Sequence, residues 1–455
     1  MSIENGSNEN YDGIIKINNT HRIYIPQELI PYLYTASVSN ESCWDQLINI
    51  INNKKVQKNT DIVLCGMPDI HIGYAFPIGT IVGMPLNKHT LISPMGVGND
   101  INCGVRCLKT NLKYNDIKSK ITVLAEKLYK FIPCGTERTC INLTHKDIKN
   151  ILLNGIKGII GKNFIIKKDN QEIILNSLYK NIEDYSSVEN CGSLPSSIDN
   201  ITQAQLGKGI SMIGTLGAGN HYLEIQRVDE VFEPYSEFEI DDIIIFIHCG
   251  SRSLGSAISE AYCEKISDLF IDFYSENGQN YFESMNAAAN YAFVNREFIS
   301  MIINNVFKEE FADFQLKIIT DTGHNIAKIE IIDGKEYLIH RKGASRSYPN
   351  EYIAVGGSMG TCSYILKGTP CKDTFYSTCH GSGRLVPRRE AHKIFNYKTM
   401  MDSMKNIELK FSSKKKILEE APNCYKDIEI VVNHCEKMGI NKKIARTKPL
   451  IVIKG

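Results

Sequence analysis

Apolar positions along the chain change period several times, and each period predicts an element. Ile117, Ile121, Leu124, Leu128 and Phe131 recur at helical spacing, which predicts one helix over 115–132 capped by Asn115 or Asp116. A similar pattern covers 148–156, and another runs from about Met285 to Phe307. Between Asp61 and Cys107 the runs IVLC, GTIVGM and TLIS are strand-sized and separated by glycine-rich loops, so strands with unusual connections are expected there. Ile243 to His248 reads as a buried strand, followed by a helix with Ile258, Tyr262, Ile266, Leu269 and Phe273 on one face.

Downstream lie a strand-like LKIIT, a loop HRKGASRS, a turn GGSMG, and a helix followed by a strand ending in PLIVIKG. The polar stretches between 160 and 200 predict a variable, exposed region, and residues 1–12 a disordered terminus. With neither an internal repeat nor a linker, the pattern predicts α+β architecture: one large mixed domain over 13–455, with β-sheets surrounded by helices.

Composition narrows this little. The chain has 455 residues, 43% hydrophobic and 23% charged, as in folded globular proteins. Its 52 Lys and Arg against 51 Asp and Glu leave a net charge of +1, so any nucleic-acid surface must be a local cluster. No run approaches the roughly 20 apolar residues of a membrane span, and no membrane partner is expected. The 14 cysteines form no CxxC pair and the start, MSIENGSNEN, does not read as a leader. A reducing compartment, cytoplasmic or nuclear, is the expectation.

The chemistry concentrates in a few short motifs. Of the 11 histidines, four sit among Gly, Asn or Ser: His221, His248, His324 and His380. Small neighbours allow the close backbone approach that metal ions and phosphates need. A lone histidine at a strand end is usually a hydrogen-bonded structural residue, but four in this setting weaken that reading. Asp100 and Cys103, three residues apart in SPMGVGNDINCGVR, add a carboxylate and a thiol, giving a mixed ligand set suited to transition metals. Arg106, Arg252, Arg341, Lys342, Arg346, Arg384 and Arg388 lie in or beside the same motifs and suggest a phosphate-handling cleft. The run Lys414 to Lys416 reads as a solvated helix face.

Taken in order, MPDIHIGYAFPIG, SPMGVGNDINCGVR, IGTLGAGNHYLEIQ, IHCGSRSLG, HNIAKIE, HRKGASRS, GGSMGTCSYIL, TCHGSGR and IVIKG closely resemble the RtcB family of RNA-splicing ligases, its eukaryotic branch in particular. The resemblance implies a GTP- and manganese-dependent ligase. It would join RNA 2′,3′-cyclic phosphate or 3′-phosphate ends to 5′-hydroxyl ends through a histidine–GMP intermediate, as in tRNA splicing. By that resemblance Asp100, Cys103, His221, His248 and His324 would hold two Mn²⁺ ions, with Cys103 bridging, and His380 would be the nucleophile.

The positions matching the family's GMP site are Asn220, His221, Tyr222, Leu223 and Glu224, then His324 and Asn325. They continue through Gly356, Gly357, Ser358, Met359 and Ser363 to His380, Gly381, Ser382 and Gly383, and end with Tyr425 and Lys454. Glu224 would read guanine and Tyr425 would wall its pocket, while Arg252, Arg384 and Arg388 would meet RNA phosphates. RNA, an archease-type activator and subunits of a tRNA ligase complex are the implied partners. The chain departs from the family pattern at Ser253 and Ser256, which replace the usual Gly and His.

Two other readings compete: a catalytically silent RNA-binding or scaffold subunit, and a metal-dependent phosphatase or nuclease. Neither needs all of Asp100, Cys103, His221, His248, His324 and His380 together with Lys454. The terminal PLIVIKG looks like a docked strand that fixes Lys454 in a site, and removing Lys454 and the residue after it is expected to leave the melting temperature nearly unchanged.

Overall fold

Our computed structural model describes residues 11–36, 40–59 and 61–455. Most of the disorder expected over 1–12 falls outside those residues. Tyr11 lies within them, its hydroxyl donating to Ile25 O at 2.6 Å.

Alternating and continuous apolar runs form two sheets. The first has six strands in the order Ile14–Lys16, Arg22–Tyr24, Val63–His71, Ile78–Pro85, Lys335–Lys342 and Asn325–Ile332. The second has eight: Leu316–Gly323, Gly104–Lys113, Asp242–Cys249, Tyr222–Val231, Asn441–Lys454, Ser363–Gly368 and Tyr352–Val355, with Glu408–Phe411 parallel to Asn441–Lys454. The eight-stranded sheet curls until Tyr352–Val355 returns to Leu316–Gly323. Side-chain alternation then sends Val105, Cys107, Val228, Phe246 and Ile365 to a small inner core, while Leu223, Ile225, Ile245 and Ile451 face the main one.

The main core is built around the helix Glu276–Glu310, 35 residues long and buried along most of its length. The sequence pattern found only the part from Met285 to Phe307, because Ser275, whose side chain accepts from Gly278 N, starts the helix in a polar segment.

Several expected elements differ. The helix over 115–132 is two pieces, Tyr114–Ile117 and Ile121–Phe131, since Lys118, Ser119 and Lys120 have nothing apolar to bury and form a turn. Asp116 caps from inside, accepting from Lys113 N at 2.7 Å. The helix after the buried strand is Arg252–Cys263 and stops before Ile266. Asp268 accepts from its neighbour Leu269 N and from Asn53 Nδ2, contacts that compete with helix. The HRKGASRS segment is strand on both sides of Gly343, whose φ of +64° supplies the bend.

Between 160 and 200, Asn163–Lys168 and Gln171–Asn176 pair as a hairpin, turned by Asp169 and Asn170 at positive φ. Phe164, Ile166, Ile173 and Leu175 join the main core, so one face of this hairpin packs inward. No helix among the described residues is long and apolar enough to cross a membrane.

Candidate active site

Register brings the expected residues together. Gly104 pairs with both Cys249 and Gly323, and Tyr222 pairs with His248, so four neighbouring strands end level. Asp100 and Cys103 precede the first of these strands and His221 precedes another. His248 is next to last in the third, and His324 links Gly323 to the six-stranded sheet. His324 N donates to Cys103 O at 2.7 Å, which locks two of the segments directly. Gly250 is required at this end, because a Cβ there would stand 2.6 Å from Asp100 Oδ1.

Two groups of three ligand atoms result, each within 4.8 Å: Asp100, Cys103 and His221, and Cys103, His248 and His324. Cys103 Sγ lies 3.4 Å from His221 Nε2 and 3.2 Å from His248 Nε2. His248 Nε2 is also 3.2 Å from His324 Nε2, and His221 Nε2 is 2.7 Å from Asp100 Oδ2. His221 Nδ1 lies 2.9 Å from Leu216 O, a contact that orients the ring and turns Nε2 to the cluster.

Burial holds His248 and His324 well below the ordinary imidazole range, so both imidazoles are neutral. Burial also pushes Asp100 up, but the nearby His221 more than offsets it and keeps the carboxylate ionised, at about 2. Burial, with Asp100 beside it, raises the Cys103 thiol well above its usual range, so its thiolate needs a cation at hand. A neutral imidazole pair, a carboxylate and a thiol that ionises only beside positive charge fit two divalent ions sharing one sulfur.

His380 follows the strand Ser377–Cys379, and its ring centre stands 4.9 Å from that of His324. Asp69 Oδ2 is 2.6 Å from His380 Nδ1 and accepts from His380 N at 3.0 Å. The buried Lys426 donates to Pro68 O at 3.0 Å and to Ile70 O, clamping the backbone on both sides of Asp69. Gly383, with φ of +74°, passes so close to Asp69 that a Cβ would meet its carbonyl at 2.1 Å. The imidazole is thus fixed by a carboxylate at Nδ1, and Nε2 is the nitrogen available for chemistry.

Beside this group opens a cavity of about 450 Å³ that takes in Asp100, Cys103, His248, His324 and His380. Asn220, Tyr222, Asn325, the Gly356–Met359 turn, Gly381, Ser382, Gly383, Tyr425 and Lys454 also line it. Leu223 does not: alternation sends it to the main core. Ser363 lies behind the wall, its Oγ accepting from Gly357 N at 3.1 Å and from Gln226 Nε2 at 3.1 Å. Glu224 is buried beside Lys454; one carboxylate oxygen accepts from Gln226 and the other has no partner among the described residues. Burial pushes its pKa up to about 7 against the pull of Lys454. Glu224 itself is not among the residues that line the cavity.

The basic residues do not form one surface. Arg106 and Arg341 are fully buried, paired with Glu297 and Asp321 and with Glu330, and belong to the core, while the half-buried Arg346 pairs with Glu351. Arg384 and Arg388 line the cavity, held by Glu420, which pairs with Arg384 Nη1 at 3.3 Å and Arg388 Nε at 3.1 Å. Arg252 instead lines a second, more open cavity of about 610 Å³, together with Ser253, Ser256 and Lys416. The two cavities share Asp100, Asn220 and Arg388.

Sequence reasoning passed over Asp69, Lys426 and Glu420. Asp69 left a trace, a carboxylate two residues before His71 in an otherwise apolar strand. Glu420, in LEEAP, left none.

A family model described as "tRNA-splicing ligase RtcB" matches residues 46–455. RNA-splicing ligase RtcB homolog 2 of Entamoeba dispar is 39% identical over 464 residues, covering 92% of this chain and 84% of that protein. RNA-splicing ligase RtcB homolog 1 of Entamoeba histolytica is 36% identical over 512 residues, 96% of this chain and 95% of that protein.

Proposed function

The chain belongs to the RtcB family of tRNA-splicing ligases and is an RNA ligase; we propose that it uses GTP and two manganese ions to join RNA 2′,3′-cyclic phosphate or 3′-phosphate ends to 5′-hydroxyl ends through guanylylated His380. The observation that carries this reading is the pair of ligand groups sharing Cys103, set against an imidazole whose Nδ1 is held by Asp69. Such ions, when bound, neutralise phosphate charge and align attacking and leaving oxygens.

The chain's own groups account for the rest. His380 Nε2 attacks the α-phosphorus of GTP; the new N–P bond forms as the bond to the β-phosphate oxygen breaks and pyrophosphate leaves. Asp69 stabilises the resulting cationic ring through Nδ1–H, so that the GMP is stored until an RNA 3′-phosphate, present from the start or formed when water breaks the P–O2′ bond of a 2′,3′-cyclic phosphate, displaces His380. The 5′-hydroxyl of the second RNA then attacks that phosphate and expels GMP. Arg384 and Arg388 face the nucleotide cavity and supply fixed positive charge for phosphates. Arg252 and Lys416, on the second cavity, would meet the RNA that reaches the ions from the other side.

A silent scaffold has no use for Asp69 behind His380, and a hydrolase none for an unpaired Glu224 oxygen beside Lys454. By the same reading an archease-type activator and tRNA ligase complex subunits are expected partners, in the cytoplasm or nucleus. The reading is tested with two RNA fragments, one ending in a 3′-phosphate and one beginning with a 5′-hydroxyl. Joining should require both GTP and Mn²⁺; joining with ATP alone, or release of inorganic phosphate without joining, would overturn it.

Guanine recognition carries two further expected results. Glu224 must be ionised to accept from two guanine N–H groups, and its pKa is about 7, so GTP affinity should rise as pH goes from 6 to 8. Without nucleotide the sign reverses. A carboxyl raised in the folded state stabilises fully below its ordinary range, and that contribution is lost as pH climbs through about 7. Glu224→Gln should bind GTP more weakly with a flat profile from pH 6 to 8, and an unchanged slope would remove Glu224 from the base contact.

Lys454 is 4% exposed at the end of a paired strand, and a Cβ on Gly455 would lie 1.8 Å from Gly217 O. Deleting both residues should therefore lower the melting temperature, contrary to the expectation of a neutral truncation. Lys454→Met isolates the nucleotide effect: GTP affinity should fall about five- to hundredfold, the worth of one buried polar contact. Wild-type GTP affinity in that variant would show that the lysine serves packing alone.

A further inference from the structure

The central helix Glu276–Glu310 sends no side chain into either cavity, yet its buried middle is polar. Asn290, Asn295, Arg296 and Glu297 are all fully buried. Arg296, Glu297, Arg106 and Asp321 form a four-charge network with no net charge, in which Arg296 Nε donates to Asp321 Oδ1 at 2.8 Å and Arg106 Nε to Asp321 Oδ2 at 2.7 Å. Desolvating four charges makes such a network a poor source of stability beside a packed apolar stripe of the same volume. Its hydrogen bonds point to another use.

Arg296 Nη1 donates to two backbone carbonyls, Asn102 O at 2.9 Å and Cys249 O at 2.8 Å. The first belongs to the residue before Cys103, the second to the residue after His248. The neighbouring Asn295 donates to Gly250 O at 3.2 Å and Thr215 O at 3.1 Å, and accepts from Gly214 N at 2.6 Å. That second loop carries Leu216, whose carbonyl orients His221. Asp321, the acceptor for Arg296, lies three residues before His324 in the same strand run. One turn of helix thus ties down every segment that delivers a cluster ligand.

We propose that Arg296 is a positioning residue for the ion pair: its guanidinium sets the separation of the Cys103 and His248 segments, with Asn295 holding the His221 loop, and this fixes the metal affinity of a site it never touches. The proposal rests on the two-ion reading above. Lysine at 296 would keep the charge beside Asp321 but not the planar fork that reaches two carbonyls together. Loss of such outer support costs about 10- to 100-fold in metal affinity.

Asn290 provides the comparison. Its side chain makes four hydrogen bonds, with Leu152 O, Leu194 O, Leu194 N and Ser196, against three from the Arg296 side chain, but to no segment that bears a ligand. Mn²⁺ binding would be followed by the electron paramagnetic resonance signal of the free ion, and chelator-treated melting temperatures recorded in parallel. Wild type should take up two ions. Arg296→Lys should bind them about 10- to 100-fold more weakly, whereas Asn290→Ala should melt earlier and bind them as wild type does. Wild-type affinity in Arg296→Lys would overturn the positioning role alone, as would an equal loss in both variants, which would mark general loosening. A wild-type protein that binds no Mn²⁺ would overturn the two-ion reading and this proposal with it.

Discussion

Replacing His380 with alanine is expected to leave no protein-bound label after incubation with α-labelled GTP and Mn²⁺, while wild type retains an acid-labile, base-stable label. The loss should be complete, because no other imidazole in the cavity is poised in the same way. His221, His248 and His324 direct nitrogens at one another and at Cys103. His71 is half-buried and desolvation holds its pKa down to about 3, with Nδ1 against Asp69 O. Asp69→Asn should label slowly but measurably, since an amide can hold the ring but cannot stabilise the cation that forms; removal of a supporting carboxylate from a histidine can cost about 10⁴ in rate. Full labelling of His380→Ala would displace the nucleophile assignment.

The arrangement behind this prediction was only partly legible in the sequence. Strand ends were readable where apolar runs stop at Gly, as at His248 and His324, and small neighbours marked the five cluster residues and His380. What brings them level is strand register, which depends on pairing between segments more than a hundred residues apart and leaves no local trace. The same limit explains the arginines. Arg106 and Arg252 each lie within a few residues of a ligand candidate, yet one is sealed against Glu297 and Asp321 and the other faces the second cavity.

Element boundaries failed for a different reason. Ile266 and Leu269 continue the helical period, but Asp268 finds better partners in Asn53 and its own neighbour's amide, and period alone cannot weigh that competition. The start of the central helix was missed because Glu276 to Ser284 is mostly polar and carries Asn277 and Gly278 in its first turn. A helix buried on all sides shows no apolar stripe to read.

Cys103 carries the second large effect, because its sulfur belongs to both ligand groups while each of the other four residues belongs to one. Cys103→Ser should therefore abolish guanylylation and also erase the stabilisation that Mn²⁺ confers. His248→Ala should abolish labelling but keep part of the thermal shift, since Asp100, Cys103 and His221 remain. The size follows from mass action: an ion at a hundred times its dissociation constant adds about 2.7 kcal/mol per site, which melting with and without Mn²⁺ resolves easily. Serine is nearly isosteric and Cys103 is buried, so the metal-free melting temperature should change little. The hydroxyl, unlike a thiol, does not ionise beside divalent ions to give a soft bridging ligand. The two measurements separate the cases: a variant with normal metal-free melting, no Mn²⁺ shift and no label has lost the ions and nothing else. A Cys103→Ser protein that labels fully and gains stability from Mn²⁺ as wild type does would take the sulfur out of the site, leaving Asp100 with His221 and His248 with His324 as two unconnected pairs.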